Sequence, residues 1–452
     1  MPNASLHGST FTASQKQYRR AVHKARAINE TVLIMSNEKT IPKPLFDTID
    51  NINEPTPDCV KSYLKSIDLP GVEQEFELSR KFLDSYSGSN DTFNAYRREI
   101  ERFLHWCWLI TGKTIKNIDR NDIKHYFDFS QQPLTSWIST KNIHRFIIKD
   151  GIKIHNPEWR PFVVRISKAE HKHGKIPNRN EYNLSNNSIA ALIAVLSTFF
   201  TFLQQESYIE VNPVQLVRQK SRYIQKQQTH KVTRKLSQLQ WQYVIENIET
   251  LADSDPKFER HLFLMAIFYL LGLRISEVAA SQNHTPVMSD FAPDKNSRWW
   301  FTTIGKGNKV RDVAVPDVLL EALKRYRISC NLPPLPSRGE STPLFGKERG
   351  HGNLGTRQVR NLVQQCFDYA IANLRKANKE DAAQDLETAT VHWLRHTAIS
   401  ADVEHRPREH VRDDAGHESS TVTDRYIDID RIARHDSARD KQLKISNIKR
   451  QP

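Results

Sequence analysis

The sequence predicts a mainly α-helical protein of two domains with one small β-sheet. At 452 residues, the chain is longer than one hydrophobic core usually spans. Apolar residues recur at helical spacing in long stretches on both sides of a basic segment, residues 211–236, that contains no acidic residue. One pair of strand-like runs, 299–304 and 310–315, accounts for the sheet.

Changes in composition divide the chain into four parts. Residues 1–72 form an N-terminal extension, residues 73–212 a helical domain, residues 213–236 a basic linker, and residues 237–452 a second domain with a C-terminal tail. The extension is either a disordered, solvated tail or a basic helix on DNA. Its basic residues before the first acid are Lys16, Arg19, Arg20, Lys24 and Arg26.

Two helices stand out in the first domain. Asp91 can cap a helix whose apolar residues run from Phe93 to Cys107 at three-four spacing. A second helix runs from Ile189 to Leu203 and stops before Asn212-Pro213. Between them, residues 131–184 are polar with scattered aromatic residues and give no clear secondary-structure prediction.

The second domain contains a short apolar run and a predicted hairpin. The run from Leu262 to Leu271 is ten residues, too short to cross a bilayer, and indicates a buried helix. A Gly-Lys-Gly-Asn turn joins the two predicted strands.

Charge and cysteine usage indicate the class of partner and the compartment. Lys plus Arg is 66 and Asp plus Glu is 52, which gives a net charge of +14 and favours nucleic acid over membrane as the partner. The four cysteines are widely separated without a CxxC pair, so neither a zinc site nor a disulfide framework is expected. Without a secretory signal, a cytoplasmic, reducing location is expected. The cysteines are Cys59, Cys107, Cys330 and Cys366.

Four short segments of the second domain are rich in residues that bind phosphate and transfer protons. They are Gly272-Leu273-Arg274-Ile275-Ser276-Glu277, Gly305-Lys306-Gly307-Asn308-Lys309, His392-Trp393-Leu394-Arg395-His396, and Gly416-His417 with Tyr426 nine residues later. Each segment alone has an ordinary structural explanation, such as a charge at a helix end or a solvated turn. Only the ordered set points to a site.

This set resembles the motifs of the tyrosine recombinases, the family of phage integrases and Xer-type recombinases. The RxxE helix, the GKGNK turn, the HxxR helix and the GH…Y ending occur in the family's order, and Arg395 precedes His417 by 22 residues. The resemblance extends over most of residues 73–452. It implies a helical core-binding domain followed by a catalytic domain of the tyrosine recombinase and type IB topoisomerase fold. Two departures are Ala415, where the family usually has leucine, and the highly charged segment 403–414.

The resemblance also implies a role for each motif residue. Tyr426 is the nucleophile, Lys306 the general acid, with Lys309 as its closest rival, and Glu277 a carboxylate that orients Arg274 or a histidine. The side chains implied to bind the phosphate are Arg274, Arg395, His392 and His417. Arginine suits a phosphoryl transition state because it is always charged and donates two N–H groups to two oxygens. His396 is expected to be packed or on the surface.

The expected DNA contacts lie mainly in the linker. Its cations can follow the phosphate backbone, because seven of them occur without an acid. The expected DNA-binding residues are Arg97, Arg218, Lys220, Arg222, Lys226, Lys231, Arg234 and Lys235.

The resemblance implies a site-specific DNA recombinase, and two alternatives remain open. It is expected to act through a 3′-phosphotyrosine, without a cofactor or metal, as a tetramer on paired DNA sites of a mobile genetic element. Accessory DNA-bending or directionality proteins are possible partners, and residues 431–452 can dock on a neighbouring protomer. The alternatives are a type IB topoisomerase or telomere resolvase, and a non-catalytic DNA-binding protein.

Overall fold

The computed structural model describes residues 41–218, 234–281, 284–305 and 307–417. The chain divides into two compact units, residues 1–229 and 230–452, each with its own hydrophobic core. The described residues are mainly helical with small sheets, which confirms the predicted fold class. The basic cluster within residues 1–40 and the tail 431–452 lie outside the described residues.

The first unit is a helical bundle with a continuous apolar core. The predicted helix around Phe93 spans Asn90–His105 and continues as a π-helix over Trp106–Thr111; its N-cap is Ser89 rather than Asp91, because the Ser89 hydroxyl accepts the Thr92 N–H. The helices of this unit are α1 (Asp58–Ser66), α2 (Val72–Asp84), α3 (Asn90–His105), α4 (Arg120–Gln131), α5 (Lys168–Lys172), α6 (Asn186–Gln205) and α7 (Pro213–Arg218).

Helix α6 has the length and apolar composition of a membrane span, but it packs inside the first core. Its buried face includes Leu196, Phe199 and Phe200. The rings of Phe199 and Phe200 lie 5.0 and 5.5 Å from those of Phe82 and Phe103 on neighbouring helices. Because its apolar surface is covered by its own unit, α6 is the core helix of this bundle.

The first unit begins well before residue 72, so the expected boundary of the extension needs correction. Leu45, Phe46 and Val60 are almost completely buried in the same core as α3 and α6, and the ring of Phe46 stacks on Phe76 at 5.2 Å. Their apolar side chains lie among polar residues without clear periodicity, so the burial of residues 41–72 was not evident from the sequence.

Residues 131–184, which gave no clear prediction, contain four short strands. β1 (Ile138–Ser139) pairs in parallel with β4 (Phe162–Val163), and β2 (Phe146–Lys149) forms a hairpin with β3 (Ile152–His155). Each strand has only two to four residues, too few for a visible alternation of apolar and polar side chains.

The expected linker is helical at its start. The side chain of Asn212 joins α6 to the start of α7. Its amide donates to the Ser197 carbonyl at 3.0 Å, and its oxygen accepts the Val214 N–H at 3.0 Å. Val214 and Val217 of α7 are buried in the first core. The part of the linker from residue 219 to 233 lies outside the described residues.

The second unit packs helices around a three-stranded antiparallel sheet. Strand β6 lies in the middle, with register pairs Phe291–Phe301 and Phe301–Val313. The two predicted strands are present. The strands are β5 (Phe291–Pro293), β6 (Trp299–Ile304) and β7 (Val310–Ala314), and the helices are α8 (Gln238–Ser254), α9 (Glu259–Leu271), α10 (Ile275–Val278), α11 (Asp317–Ser329), α12 (Thr356–Lys376), α13 (Glu380–Glu387), α14 (Val391–His405) and α15 (Arg408–Ala415).

Candidate active site

Arg274 lies where the buried helix α9 gives way to the short helix α10. Gly272 ends α9 in the left-handed conformation, with a φ of 58°, a conformation that favours glycine because it lacks a Cβ. The chain then turns, and the Arg274 N–H donates to Glu277 Oε2 at 2.7 Å. The side chain of Arg274 remains 30% exposed, so it combines a fixed backbone with access to solvent.

Glu277 is completely buried and holds two arginines. Arg274 Nη1 donates to its Oε1 at 2.9 Å, while Arg311 donates Nη1 to Oε1 and Nη2 to Oε2, both at 2.8 Å. Burial alone would raise the pKa of Glu277, but hydrogen bonds and charge from Arg311, followed by those from Arg274, hold this pKa below its ordinary value. Glu277 is therefore an anion that orients cations.

Arg395, on α14, is buried and ties two motif segments together. Its Nη1 donates to the Gly272 carbonyl at 2.5 Å, and its Nη2 donates to the Ala415 carbonyl at 2.7 Å. The same Nη2 lies 3.3 Å from His417 Nε2. The guanidinium thus lies between the turn that carries Arg274 and the segment that carries His417.

His417 follows helix α15, which Gly416 ends with a φ of 61°. Burial lowers the pKa of the His417 imidazole to about 4, and the charges of Arg395, Arg274 and Arg311 contribute to the same shift. His417 is consequently neutral at neutral pH and can act as a hydrogen-bond donor or acceptor.

His392 lies one helical turn before His396 on α14, and their rings make an edge contact with centroids 4.4 Å apart. Burial lowers the pKa of His392, followed by the charges of Arg395, Arg234 and Arg274. His396 was expected to be packed or on the surface, and it is half-buried with its ring packed against that of His392. The i, i+4 spacing was the signal for this contact.

Arg234 and Lys235, at the end of the expected linker, belong to the second unit. The charge of Arg234 lowers the pKa values of both His392 and His396, so this arginine lies close to the motif histidines. The next residue, Leu236, is buried and donates its N–H to Thr397 on α14 at 2.9 Å. This hydrogen bond fixes the start of the unit beside the site.

The hairpin turn expected to carry the general acid is closed by a hydrogen bond from Gly305 N–H to the Lys309 carbonyl at 2.8 Å. Gly307 and Asn308 both have positive φ, which suits a tight turn between antiparallel strands. Lys309 is exposed. Lys306 itself lies outside the described residues.

Several other expected site residues also lie outside the described part of the chain. They are the expected nucleophile Tyr426 and the linker residues Lys220, Arg222, Lys226 and Lys231; of Arg218, only the backbone is described, as the last residue of α7. The structure brings together Arg274, Glu277, His392, Arg395 and His417 within the second unit.

Arg97, expected to contact DNA, has a structural environment in the first unit. Its guanidinium donates to the Asp47 carbonyl and, at 2.7 Å, to the Asn94 side chain. Burial lowers the pKa of Arg97 to about 10. The side chain therefore fastens the segment before α1 to α3, which leaves less of it for an external ligand.

Arg311 was not among the site residues predicted from the sequence. It lies on β7 two residues before the buried Val313, and on the same face of the sheet. The available signal was an arginine on the core face of a predicted strand. A buried arginine requires a carboxylate partner, so this position indicated a buried ion pair.

No group of three or more histidine, cysteine or acidic side chains in the described ranges is arranged to hold a metal ion. The site is instead built from cations, imidazoles and one buried carboxylate. Such a set binds an anion directly through charge and N–H donors.

Comparison with protein families matches residues 234–431 to the phage integrase family. Among curated proteins, the chain is 24% identical over 341 residues to tyrosine recombinase XerC of Thermodesulfovibrio yellowstonii, covering 73% of this chain and 91% of that protein. It is 28% identical over 199 residues to tyrosine recombinase XerC of Bacillus subtilis, covering 43% of this chain and 58% of that protein.

Among solved structures, the fold is similar to that of the XerH site-specific recombinase in a post-cleavage complex with a palindromic difH substrate. The TM-score is 0.52 at 15% sequence identity, and the match covers 88% of this chain and 91% of that chain. At this identity, the similarity is one of fold.

Proposed function

Because the chain belongs to the tyrosine recombinase (phage integrase) family and is thereby a site-specific DNA recombinase, we propose that it cuts and rejoins duplex DNA through a 3′-phosphotyrosine intermediate. The single observation that carries the proposal is the cluster of cations around Arg395 and His417. Arg274, Arg311 and Arg395 all lower the pKa of His417, so their positive potential converges on one position.

Such a potential suits a phosphodiester. The phosphoryl transition state carries extra negative charge on its non-bridging oxygens, and fixed cations stabilise that charge without reorganising. Arg395 is buried and held by two carbonyls, while Arg274 is held by Glu277, so both are in place before DNA arrives. We assign these two arginines to the non-bridging oxygens.

The proposed cleavage step forms one bond and breaks another. The phenolic oxygen of Tyr426 bonds to phosphorus, and the bond from phosphorus to the 5′-oxygen breaks. Lys306 gives a proton to the leaving 5′-oxygen, and a neutral histidine of the site accepts the proton of the tyrosine. Attack by the 5′-hydroxyl of another strand reverses these events and reseals the DNA, so no nucleotide cofactor is consumed.

The depressed pKa values support neutral histidines in this scheme. His417 has a pKa of about 4, and the pKa of His392 is also lowered, so both imidazoles are neutral near neutral pH and can donate or accept a hydrogen bond. We assign them to the phosphate oxygens and to transfer of the Tyr426 proton.

The proposed partner is duplex DNA, and the proposed working assembly is a tetramer on two paired sites. The net charge of +14 and the linker cations supply a phosphate-backbone contact that is independent of sequence. Arg234 is described at the end of this basic stretch, beside the motif histidines. We propose that the protein serves a mobile genetic element. An assay for integration of DNA by the protein would test this role.

The decisive experiment traps the covalent intermediate. The substrate is a pool of duplexes with randomised sequence and a nick, from which a short fragment diffuses away after cleavage. Wild-type protein should leave a denaturation-resistant protein–DNA complex, whereas Tyr426→Phe should bind the recovered duplexes without forming it. An adduct with the Tyr426→Phe variant contradicts the assignment of the nucleophile.

A plasmid-relaxation assay and the trapping assay together separate the alternatives. Relaxation of any supercoiled plasmid, without a preferred site, would favour a type IB topoisomerase. Binding of wild-type protein to DNA without any adduct would favour a non-catalytic DNA-binding protein.

A further inference from the structure

The side chain of Arg311, on strand β7, contacts two of the motif segments. Its side chain is only 12% exposed, and it donates to both oxygens of Glu277 at 2.8 Å. Its Nε donates to the Asp414 carbonyl at 2.9 Å, two residues before Gly416. One guanidinium therefore joins strand β7, the RxxE helix and the segment that leads to His417.

Two glycines of the motifs leave room for this guanidinium. A Cβ on Gly305 would lie 2.8 Å from Arg311 Nη1, and a Cβ on Gly416 would lie 3.2 Å from the Cδ, Nε and Cζ atoms of Arg311. Either distance is closer than ordinary van der Waals contact. The glycine before Lys306 and the glycine before His417 thus border the same side chain.

The distribution of hydrogen bonds on Glu277 explains what Arg311 does for Arg274. Arg311 occupies one position on each carboxylate oxygen, and the Arg274 backbone N–H donates to Oε2, so the guanidinium of Arg274 reaches the carboxylate through Nη1 alone. Arg274 Nη2 makes only a longer contact, 3.3 Å, with the Gly416 carbonyl. Without Arg311, the buried carboxylate would attract the whole guanidinium of Arg274, because a buried charge requires compensation.

We propose that Arg311 is a positioning residue that acts through Glu277 to keep one edge of Arg274 directed at the scissile phosphate. This inference rests on the proposed function, because it assumes that Arg274 binds the phosphate. Arg311 itself touches no reacting atom.

The test is a double-mutant cycle on the cleavage rate of nicked duplexes that the wild-type protein captures. Arg311→Lys keeps the positive charge but cannot donate to both oxygens of Glu277 at once. We expect it to slow cleavage by about 100-fold, the loss typical of a misplaced catalytic group. In an Arg274→Ala background, the same change should cost less than about 5-fold, since nothing remains to be positioned.

A purely structural role predicts a different result. If Arg311 only stabilised the fold, Arg311→Lys would slow cleavage equally with and without Arg274, and that additivity would overturn the proposal. Arg298→Lys is the matched control, because Arg298 is an exposed arginine in the turn that joins β5 to β6, paired with Asp294, and it should leave the rate unchanged.

A second variant keeps the test decisive if Arg311→Lys does not fold. Glu277→Gln removes the carboxylate charge while keeping its shape, and its effect on the cleavage rate should likewise vanish in the Arg274→Ala background. Equal losses in both backgrounds would overturn the proposal. Failure of the wild-type protein to form any adduct would instead refute the proposed function, so the two failures are distinguishable.

Discussion

In the first unit, the buried carboxylate Glu75 accepts hydrogen bonds from Trp108 Nε1 at 2.7 Å, Tyr208 Oη at 2.8 Å and the Ile115 N–H at 2.5 Å. In the second unit, the buried carboxylate Glu277 instead accepts from two arginines. Both carboxylates are satisfied, but by different kinds of donor. The first network closes within the fold, whereas the second holds cations at the edge of a site.

The histidines differ in the same way. Burial lowers the pKa of His105 in the first unit to about 4, and this imidazole lies completely inside the core, 3.4 Å from the Tyr63 hydroxyl. His417 in the second unit has a similar pKa, but three arginine charges add to burial there, whereas at His105 the charge of Glu101 opposes burial more than the charge of Arg145 adds to it. A depressed histidine pKa by itself therefore does not distinguish a core histidine from a histidine of a site; the surrounding arginines do.

The largest expected effect is on the rate of DNA cleavage by the proposed site of the second unit. Lys306→Ala should slow cleavage by about 100- to 10,000-fold, the range for loss of a general acid. A substrate whose leaving oxygen is replaced by sulfur needs no proton, so it should restore much of the rate. The measurement is the cleavage rate on both substrates.

Arg395→Ala serves as the comparison for Lys306→Ala. Its loss should be about 100- to 1,000-fold, and sulfur should not restore the rate, because this charge serves the non-bridging oxygens. Equal rescue of both variants would contradict the assignment of Lys306 as the acid.

The next largest effect concerns the stability of the first unit. His105 has a folded pKa of about 4 and an unfolded pKa near 6.5, so the unfolded chain binds more protons between these values. The free energy of unfolding should therefore fall as pH drops from about 6.5 to 4, by about 3 kcal/mol from this group. Chemical denaturation at several pH values measures the slope.

His105→Gln should flatten this pH dependence, since it removes the titrating group but keeps a polar side chain. His155 also has a pKa lowered to about 4, chiefly by burial, so part of the slope should remain. An unchanged slope in His105→Gln would mean that His105 is not the group responsible.

A smaller effect compares two glycines with nearly the same backbone. Gly112 in the first unit has a φ of 63° and open space around its Cβ position, while Gly416 has a φ of 61° and lies against Arg311. Alanine at either position should cost about 1–2 kcal/mol of stability from the left-handed conformation. Only Gly416→Ala should also slow cleavage, which thermal unfolding and rate measurements together would establish. Equal cleavage rates in both variants would contradict the proposed steric link between Gly416 and Arg311.

The smallest effect concerns DNA binding by the basic linker. Neutralising Arg218, Lys220 and Arg222 together should flatten the dependence of log affinity on log salt by about one to three units, because each phosphate contact contributes about 0.9. Specific and random DNA should lose affinity by similar factors, since phosphate contacts carry no sequence information. Binding across low to moderate salt is the measurement.

A charge-matched control removes three exposed lysines of the second unit: Lys347, Lys376 and Lys379. If the linker contacts the phosphates, its variant should change the slope more than the control does. An unchanged slope in the linker variant would indicate a solvated tether and would leave the catalytic assignments intact.

The sequence alone determined the family, the fold class and the strand pair beside the GKGNK turn. These features depend on local order: motif residues at fixed spacing, alternation along β6 and β7, and glycine at the turn. The helix from Ile189 to Leu203 was also evident, because twenty residues of α6 repeat one apolar pattern.

Only the tertiary structure decided where the first unit begins and which residues surround the motif arginines. Leu45 and Phe46 belong to its core, although short apolar stretches without periodicity give no local signal. Arg311 and Glu277 are 34 residues apart in the chain, yet they form the bidentate pair that orders the site. Their pairing depends on how β7 packs beside α10, and a contact between distant segments has no counterpart in local sequence spacing.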